Sequence, residues 1–355
     1  MARMLTYAES IREATENEMA RDSSVMVLGI GVDDFKGIYG TTTGLVEKFG
    51  IDRVVDTPIS EDAMTGVAIG AALAGLRPIH VHIRMDFLLL AMNQLVNIAA
   101  KSRYMYGGEV SVPMVVRAII GRSWEQGAQY SQGLHSFFMH VPGIKVVAPS
   151  TPYDAKGCLI QSIRDDNPVV FVEHRLIHYQ NGHVPESDYT VPFGQARVLS
   201  EGSDITLVGI SHMAAECLGA TRYLDDIGLR AEVIDPVSLS PLDIDTIIAS
   251  VEKTGKLLVV DTAWTTCGAS AEIIVQVTEQ LGSAKTECRR LGFASVTCPT
   301  TKNLENHFYP DAQKIATAAY RMVNGDRESA VVDKKPDLSI PPEVSPESVE
   351  FKGPF

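Results

Sequence analysis

Cysteine is scarce and scattered: Cys158, Cys217, Cys267, Cys288 and Cys298 include no CxxC pair. That spacing argues against a zinc site and a disulfide framework, and it makes a reducing cytoplasm the expected compartment. No apolar run reaches the roughly 18 residues that would span a bilayer. The first residues lack the apolar core of a signal peptide, so none is expected. No P-loop and no GxGxxG is found. Basic residues are also in short supply: 31 Lys and Arg face 44 Asp and Glu, a net charge of -13. This balance argues against a nucleic-acid partner and against docking on anionic lipid; the surplus charge reads as a solvated surface. What remains is an ordinary globular composition, 45% hydrophobic and 21% charged. A length of 355 residues fits two domains of roughly 100–200 residues each.

Strand-like and helix-like segments alternate along the chain. Leu5, Ala8, Ile11, Ala14 and Met19 fall near helical spacing, which predicts an amphipathic helix over 5–20. A buried strand over 25–31 runs into a glycine turn, and a short helix closes at 45–49. Strands follow at 78–83, 112–119, 145–148 and 169–172, with a long helix at 87–105 and another at 152–164, stopped by Asn167-Pro168. A polar stretch, 178–192, reads as a linker. A second pattern then begins, with strands at 205–210, 231–235 and 257–261 and helices at 213–227 and 269–281. The expected fold is α/β, two parallel-sheet domains without an evident internal repeat. Residues 325–355 turn charged and proline-rich, the composition of a disordered or subunit-wrapping tail.

The most informative stretch is Asp56-Thr57-Pro58-Ile59-Ser60-Glu61. An apolar lead-in, Arg53-Val54-Val55, enters a turn, and a run of small apolar residues from Met64 to Gly75 follows as a helix. A Glu at the mouth of such a dry helix would be partly desolvated, which raises its pKa and suits it to proton exchange. The plainer reading is an acidic residue that favours a helix N-terminus.

Residues 56–75, the segment His82-Ile83-Arg84-Met85-Asp86-Phe87 and the segment from Met92 to Lys101 together resemble one family. They are similar to the β subunit of thiamine-diphosphate-dependent 2-oxo acid dehydrogenases, in the decarboxylating component of pyruvate, branched-chain and acetoin dehydrogenases. The similarity continues through Gln129-Tyr130-Ser131-Gln132, Pro142-Gly143-Ile144, Tyr153-Asp154-Ala155, Asp165-Asp166-Asn167-Pro168 and Cys267-Gly268-Ala269, and covers residues 4–324. The resemblance implies a pyrimidine-binding transketolase-like domain at 1–180, a linker at 181–192 and a transketolase C-terminal-like domain at 193–324. It implies that Glu61 hydrogen-bonds the aminopyrimidine ring of thiamine diphosphate and promotes its proton exchange. Phe87 would contact that ring, with a core aromatic as its alternative, and Ile59 would line the same pocket. A monovalent cation, usually potassium, is implied on carbonyls at Met114, Ser162, Ile163, Asp165 and Asn167; the alternative is a helix C-terminus with water on its carbonyls. The family's Gly-Asp-Gly and following Asn-Asn, which hold diphosphate and magnesium, are missing from this chain. A separate α subunit is therefore expected to hold them, with the coenzyme across the interface of an α2β2 heterotetramer. A lipoyl acyltransferase core or a carrier domain is a further expected partner.

One departure stands out. Tyr130 occupies the place of a family His associated with proton transfer and lipoyl approach. A phenol with a pKa near 10 donates a hydrogen bond but is a poor base near pH 7. His135 and His140, just downstream, are candidate substitutes, with core or surface roles as their alternatives. His80 and His82 share one strand face and read as packing residues rather than a metal pair. Arg84 and Asp86 are more charged than the family segment and could face substrate. Glu173-His174-Arg175 reads as a subunit salt bridge or a substrate contact, and Cys267 as a thiol near a helix start. The leading function is decarboxylation of a 2-oxo acid with acyl transfer to lipoyl. A transketolase-like two-carbon ketol transfer and a non-catalytic scaffold remain the alternatives.

Overall fold

The computed structural model describes residues 3–122 and 126–325. Apolar, β-branched runs form a first sheet of seven strands. Their order is Ser238–Ser240, Lys145–Val147, Val169–His174, Val115–Ile120, Arg77–His82, Val25–Gly29 and Val54–Asp56. All neighbours are parallel except Ser238–Ser240, which runs antiparallel to Lys145–Val147. A second sheet orders Glu287–Phe293, Lys256–Trp264, Ile205–Gly209, Ala231–Asp235 and Arg197–Ser200, and its last strand alone is antiparallel. The chain is α/β with two mainly parallel sheets, as the alternation of patterns predicts. Ser238–Ser240 belongs by sequence to the second half yet pairs on the first sheet, so backbone hydrogen bonds stitch the two halves together.

Both faces of the first sheet are buried, which is why its strands read as unbroken apolar runs. Val25, Val27, Ile79, Val115 and Phe171 join the core beneath helices Tyr7–Arg21 and Pro152–Arg164. Tyr7–Arg21 opens with a capping box: Thr6 accepts from the Glu9 N–H and the Glu9 carboxylate accepts from the Thr6 N–H. Such a cap is worth about 1 kcal/mol. The opposite face, with Leu28, Val116, Ala118 and Val170, packs against Ala68, Ile69 and Ala72 of helix Glu61–Leu73. That core continues into the second half through Ile210, Ile234 and Leu239. Small helix residues allow the close approach, so the helix start is held firmly beside the sheet.

The long helix expected over 87–105 is instead four pieces. They are Met85–Leu88, a 3-10 turn Leu89–Ala91, a π-wound turn Gln94–Ala99 and Ala100–Met105. Apolar spacing barely distinguishes these windings, so periodicity reads them as one helix. The polar stretch is not wholly a linker, because Asn181–His183 pairs antiparallel with Met4–Thr6. Helices Ile244–Thr254, Lys302–Phe308 and Ala312–Asn324 are additional to the sequence pattern. Most of the expected tail, residues 326–355, lies outside the described residues. Among the described residues no helix is long and apolar enough to cross a membrane.

Candidate active site

Strand Val54–Asp56 delivers the chain to the site. The Asp56 carboxylate accepts from the Gly31 N–H at 2.6 Å, and the Thr57 N–H donates to the Gly29 carbonyl at 3.3 Å. These bonds lock the turn after Val25–Gly29 to the turn carrying Thr57 and Pro58. Helix Glu61–Leu73 then begins behind Ser60, whose side chain makes no capping bond. Glu61 is half-buried in the first turn, where free N–H groups favour an anion. Among the described residues its carboxylate has no hydrogen-bond or ion-pair partner.

Glu61 lines a cavity of about 280 Å³ together with Ile59, Met64, Ile83, Phe87 and Tyr130. Ile59 is 82% exposed and sits at the rim. Phe87, in the short helix Met85–Leu88, meets Tyr130 edge to face with centroids 5.6 Å apart. His80 and His82 also line the cavity, and strand period two puts both beneath helix Glu61–Leu73. Their rings meet edge-on at 4.3 Å, and Thr65 Oγ1 lies 3.2 Å from His80 Nε2 and 3.5 Å from His82 Nε2. Burial lowers His80 to about 4, and burial with the neighbouring ring pushes His82 well down. Both are therefore neutral near pH 7, packed on each other and a threonine. Among the described residues no group of three or more His, Cys, Asp or Glu is arranged to hold a metal.

A polar network fixes the far wall. Asp86 is buried, and burial pushes its carboxyl up. Its Oδ1 accepts from the Gln132 backbone N–H at 3.2 Å and from Gln132 Nε2 at 2.9 Å, while Oδ2 has no partner. The fully buried Arg175 donates to the Tyr130 carbonyl at 2.8 Å and to Gln126 Oε1. Tyr130 is thus held from behind through its backbone while its ring faces the cavity mouth, 37% exposed. The sequence singles out Asp86, Gln132 and Arg175 in three separate segments but gives no sign that they converge behind Tyr130.

The two candidate histidines part from this site. His135 is fully buried in helix His135–Met139, with Nε2 3.1 Å from the Asp261 carboxylate of the second sheet. It joins the two halves instead of lining the cavity, because its helix presents it to strand Lys256–Trp264. His140 is exposed and lines a different cavity, beside Pro241 and Cys267. The Glu173 of the Glu173-His174-Arg175 run pairs within the chain, with Arg117 and His178, rather than across subunits.

The five candidate cation positions come together where helix Pro152–Arg164 ends. The Met114 carbonyl accepts from the Val169 N–H at 3.0 Å and the Ser162 carbonyl from the Asp165 N–H at 3.3 Å. Arg77 Nη1 donates to the carbonyls of both Ile163 and Asp165, each at 3.0 Å. Asn167 Nδ2 turns to Asp165 Oδ1 at 3.0 Å. Each of these four carbonyls already has one donor, leaving its second lone pair for any ion.

The description "Transketolase, pyrimidine binding domain" matches residues 3–179, and "Transketolase, C-terminal domain" matches residues 194–315. The acetoin:2,6-dichlorophenolindophenol oxidoreductase subunit beta of Cupriavidus necator is 42% identical, over 92% of this chain and 100% of that protein. The pyruvate dehydrogenase E1 component subunit beta of Porphyra purpurea is 41% identical, over 90% of this chain and 97% of that protein. A split-gene transketolase, solved as an inactive beta4 tetramer, shares the fold with a TM-score of 0.75 at 19% identity, covering 91% of this chain and 100% of that one. The chain therefore belongs to the family of dehydrogenase and oxidoreductase β subunits that join a transketolase pyrimidine-binding domain to a transketolase C-terminal domain.

Proposed function

We propose that this chain is the β subunit of a heteromeric enzyme that decarboxylates a 2-oxo acid with thiamine diphosphate and passes the acyl unit to a lipoyl group. The observation that carries this reading is the unpartnered Glu61 carboxylate in an apolar cavity beside the Phe87 ring. That donor set fits the pyrimidine half of the coenzyme: one free acceptor, one aromatic ring and mainly apolar walls, with Arg84 the one cationic residue among the lining. Thiamine diphosphate, when bound, supplies carbanion chemistry that no side chain offers. Glu61 holds and returns a proton at the pyrimidine ring. Phe87 orients the ring, and Met64 and Ile83 exclude water. The neutral His80 and His82 add no positive charge to compete for the Glu61 carboxylate. Tyr130 donates a hydrogen bond at the mouth, where the acyl acceptor approaches. The diphosphate and its magnesium fall to an α subunit, in an α2β2 assembly, because this chain lacks the motif that grips them. The carbonyls near Ile163 would hold a potassium ion that braces the end of helix Pro152–Arg164, at the Arg77 end of strand Arg77–His82 and not at the cavity end.

The test is reconstitution with an α subunit of the same source. Carbon dioxide release from 2-oxo acids and reduction of 2,6-dichlorophenolindophenol are followed with and without thiamine diphosphate. Glu61→Gln should lower kcat by at least about 100-fold, equivalent to ~2.7 kcal/mol. A loss under about tenfold would return the chain to a scaffold role. Tyr130 in place of histidine favours one second reading, two-carbon ketol transfer. Consumption of a ketose phosphate without carbon dioxide release would select it.

A further inference from the structure

We infer that Arg84 sets substrate specificity by receiving an anionic group, carboxylate or phosphate, carried on the substrate away from the bond that breaks. This rests on the functional reading above and names the class of substrate it acts on. Arg84 leaves the end of strand Arg77–His82 in an extended conformation, just before the helix that carries Phe87. Its side chain lines both the cavity of about 280 Å³ that holds Glu61 and an adjoining one of about 620 Å³ beside Lys36 and Tyr39. It therefore stands at the junction between a place for the coenzyme ring and further space for a substrate tail.

The guanidinium is oriented and only partly used. Nη1 donates to the Tyr39 hydroxyl and to the Ile83 carbonyl, both at 3.1 Å, and the group lies 5.9 Å from the Tyr130 ring centre. Those two bonds consume the hydrogens of Nη1. Nε and Nη2 remain without a partner among the described residues, a forked donor pair matched to a carboxylate or phosphate. Tyr39 is held for this purpose: its φ is 52°, an uncommon region for a non-glycine residue, and its ring packs on His178 with centroids 5.0 Å apart.

Charge is unbalanced in the same direction. Among the described residues neither Arg84 nor Arg175 has a carboxylate within ion-pair distance, and Arg175 Nε is buried without a partner. Burial, with the Arg84 charge second, draws Arg175 down to about 10. The chain carries net charge -13, yet the nearby acids, Asp86 beside Arg175 and Glu61 and Asp34 in the cavities that Arg84 lines, form no ion pair with either cation among the described residues. An incoming anion relieves that repulsion between the half-buried Arg84 and the buried Arg175. The carboxylate lost in a decarboxylation is a poor candidate for this anion, since gripping it would stabilise the ground state over the transition state. The group bound is therefore one that stays with the substrate.

The test uses the αβ complex loaded with thiamine diphosphate, as wild type, Arg84→Gln and Arg84→Lys, each checked for folding by its melting temperature. Carbon dioxide release is measured with 2-oxopentanoate, 2-oxoglutarate and 3-phosphonooxy-2-oxopropanoate. The expected result is a wild-type preference for a charged tail. The ratio of kcat/KM for charged over neutral tails should fall about 100-fold in Arg84→Gln and partly recover in Arg84→Lys. The better of the two charged substrates identifies carboxylate or phosphate as the source. A wild-type preference for 2-oxopentanoate, or an unchanged ratio in Arg84→Gln, overturns the inference. If the loaded complex releases no carbon dioxide from any of the three or from pyruvate, the decarboxylation reading fails. Calorimetric titration with glutarate and with glycerol 3-phosphate then decides separately. Weakening of at least about tenfold in Arg84→Gln supports the anion site, and equal affinity overturns it.

Discussion

Glu173 is fully buried at the end of strand Val169–His174, gripped by Arg117 Nε at 2.5 Å, Arg117 Nη2 at 2.9 Å and His178 Nε2 at 3.0 Å. Burial pushes its carboxyl up, but Arg117 and His178 outweigh that and hold it at about 2, against an ordinary 4.5. A folded-state value below the unfolded one means stability that is present above pH 4.5 and lost as pH falls towards 2. The shift corresponds to about 3 kcal/mol. Glu173→Gln strands the buried Arg117 charge and should destabilise the protein by about 3–5 kcal/mol. It should also flatten the dependence of melting temperature on pH across that acid window; a variant retaining the wild-type slope would place the acid sensitivity elsewhere. Read along the chain, Glu173 offered a substrate contact or a subunit bridge, because linear order does not reveal that Arg117 lies in the neighbouring strand. Glu61 and Phe87 were legible because a short motif and its flanking blocks carry them. Tyr39 was not, since it comes from a loop shaped by positive φ at Gly31, Gly37 and Gly40, whose path no periodicity encodes.

At the scale of elements, the end of helix Pro152–Arg164 is where two ways of satisfying carbonyls compete. Arg77 already serves Ile163 and Asp165, and Lys145 Nζ reaches Asp165 Oδ2 at 2.5 Å. A potassium ion here must share those carbonyls with a guanidinium, so its net contribution should be modest. Exchanging potassium for choline at constant ionic strength should lower the melting temperature of the αβ complex by about 2–4 °C, the equivalent of ~1 kcal/mol. Arg77→Gln, which frees two carbonyls, should enlarge that difference. No difference in either protein would mean that Arg77 alone satisfies this helix end. The strands here were readable because both sheet faces are buried. The breaks between Met85 and Met105 were not, because 3-10, α and π windings place apolar residues on nearly the same stripe. Likewise, the pairing of Asn181–His183 with Met4–Thr6 joins residues that lie far apart in sequence and are mostly polar on one strand.

At the scale of the whole molecule, the two halves meet through strand Ser238–Ser240, the His135–Asp261 contact and a buried acidic cluster. In that cluster Ser150 Oγ donates to Asp235 Oδ2, the Val237 N–H donates to Asp235 Oδ1 at 2.8 Å, and Arg197 Nε lies 2.8 Å from Asp154. Burial drives Asp235 up to about 7; the Ser150 bond opposes the rise and the nearby Asp154 charge adds to it. A carboxyl whose folded value lies above its ordinary 3.8 binds more protons folded than unfolded. Its contribution is therefore complete below pH 3.8 and declines as pH rises through about 7, by up to ~1.4 kcal/mol per unit. This opposes the effect of Glu173, so the two groups pull the stability maximum from opposite sides into mildly acidic solution. Asn mimics the protonated acid and keeps an acceptor for Ser150. The melting temperature of Asp235→Asn should accordingly stay level between pH 5 and 7 while that of the wild type falls. If the two proteins decline in parallel, the titrating group at the junction is not Asp235.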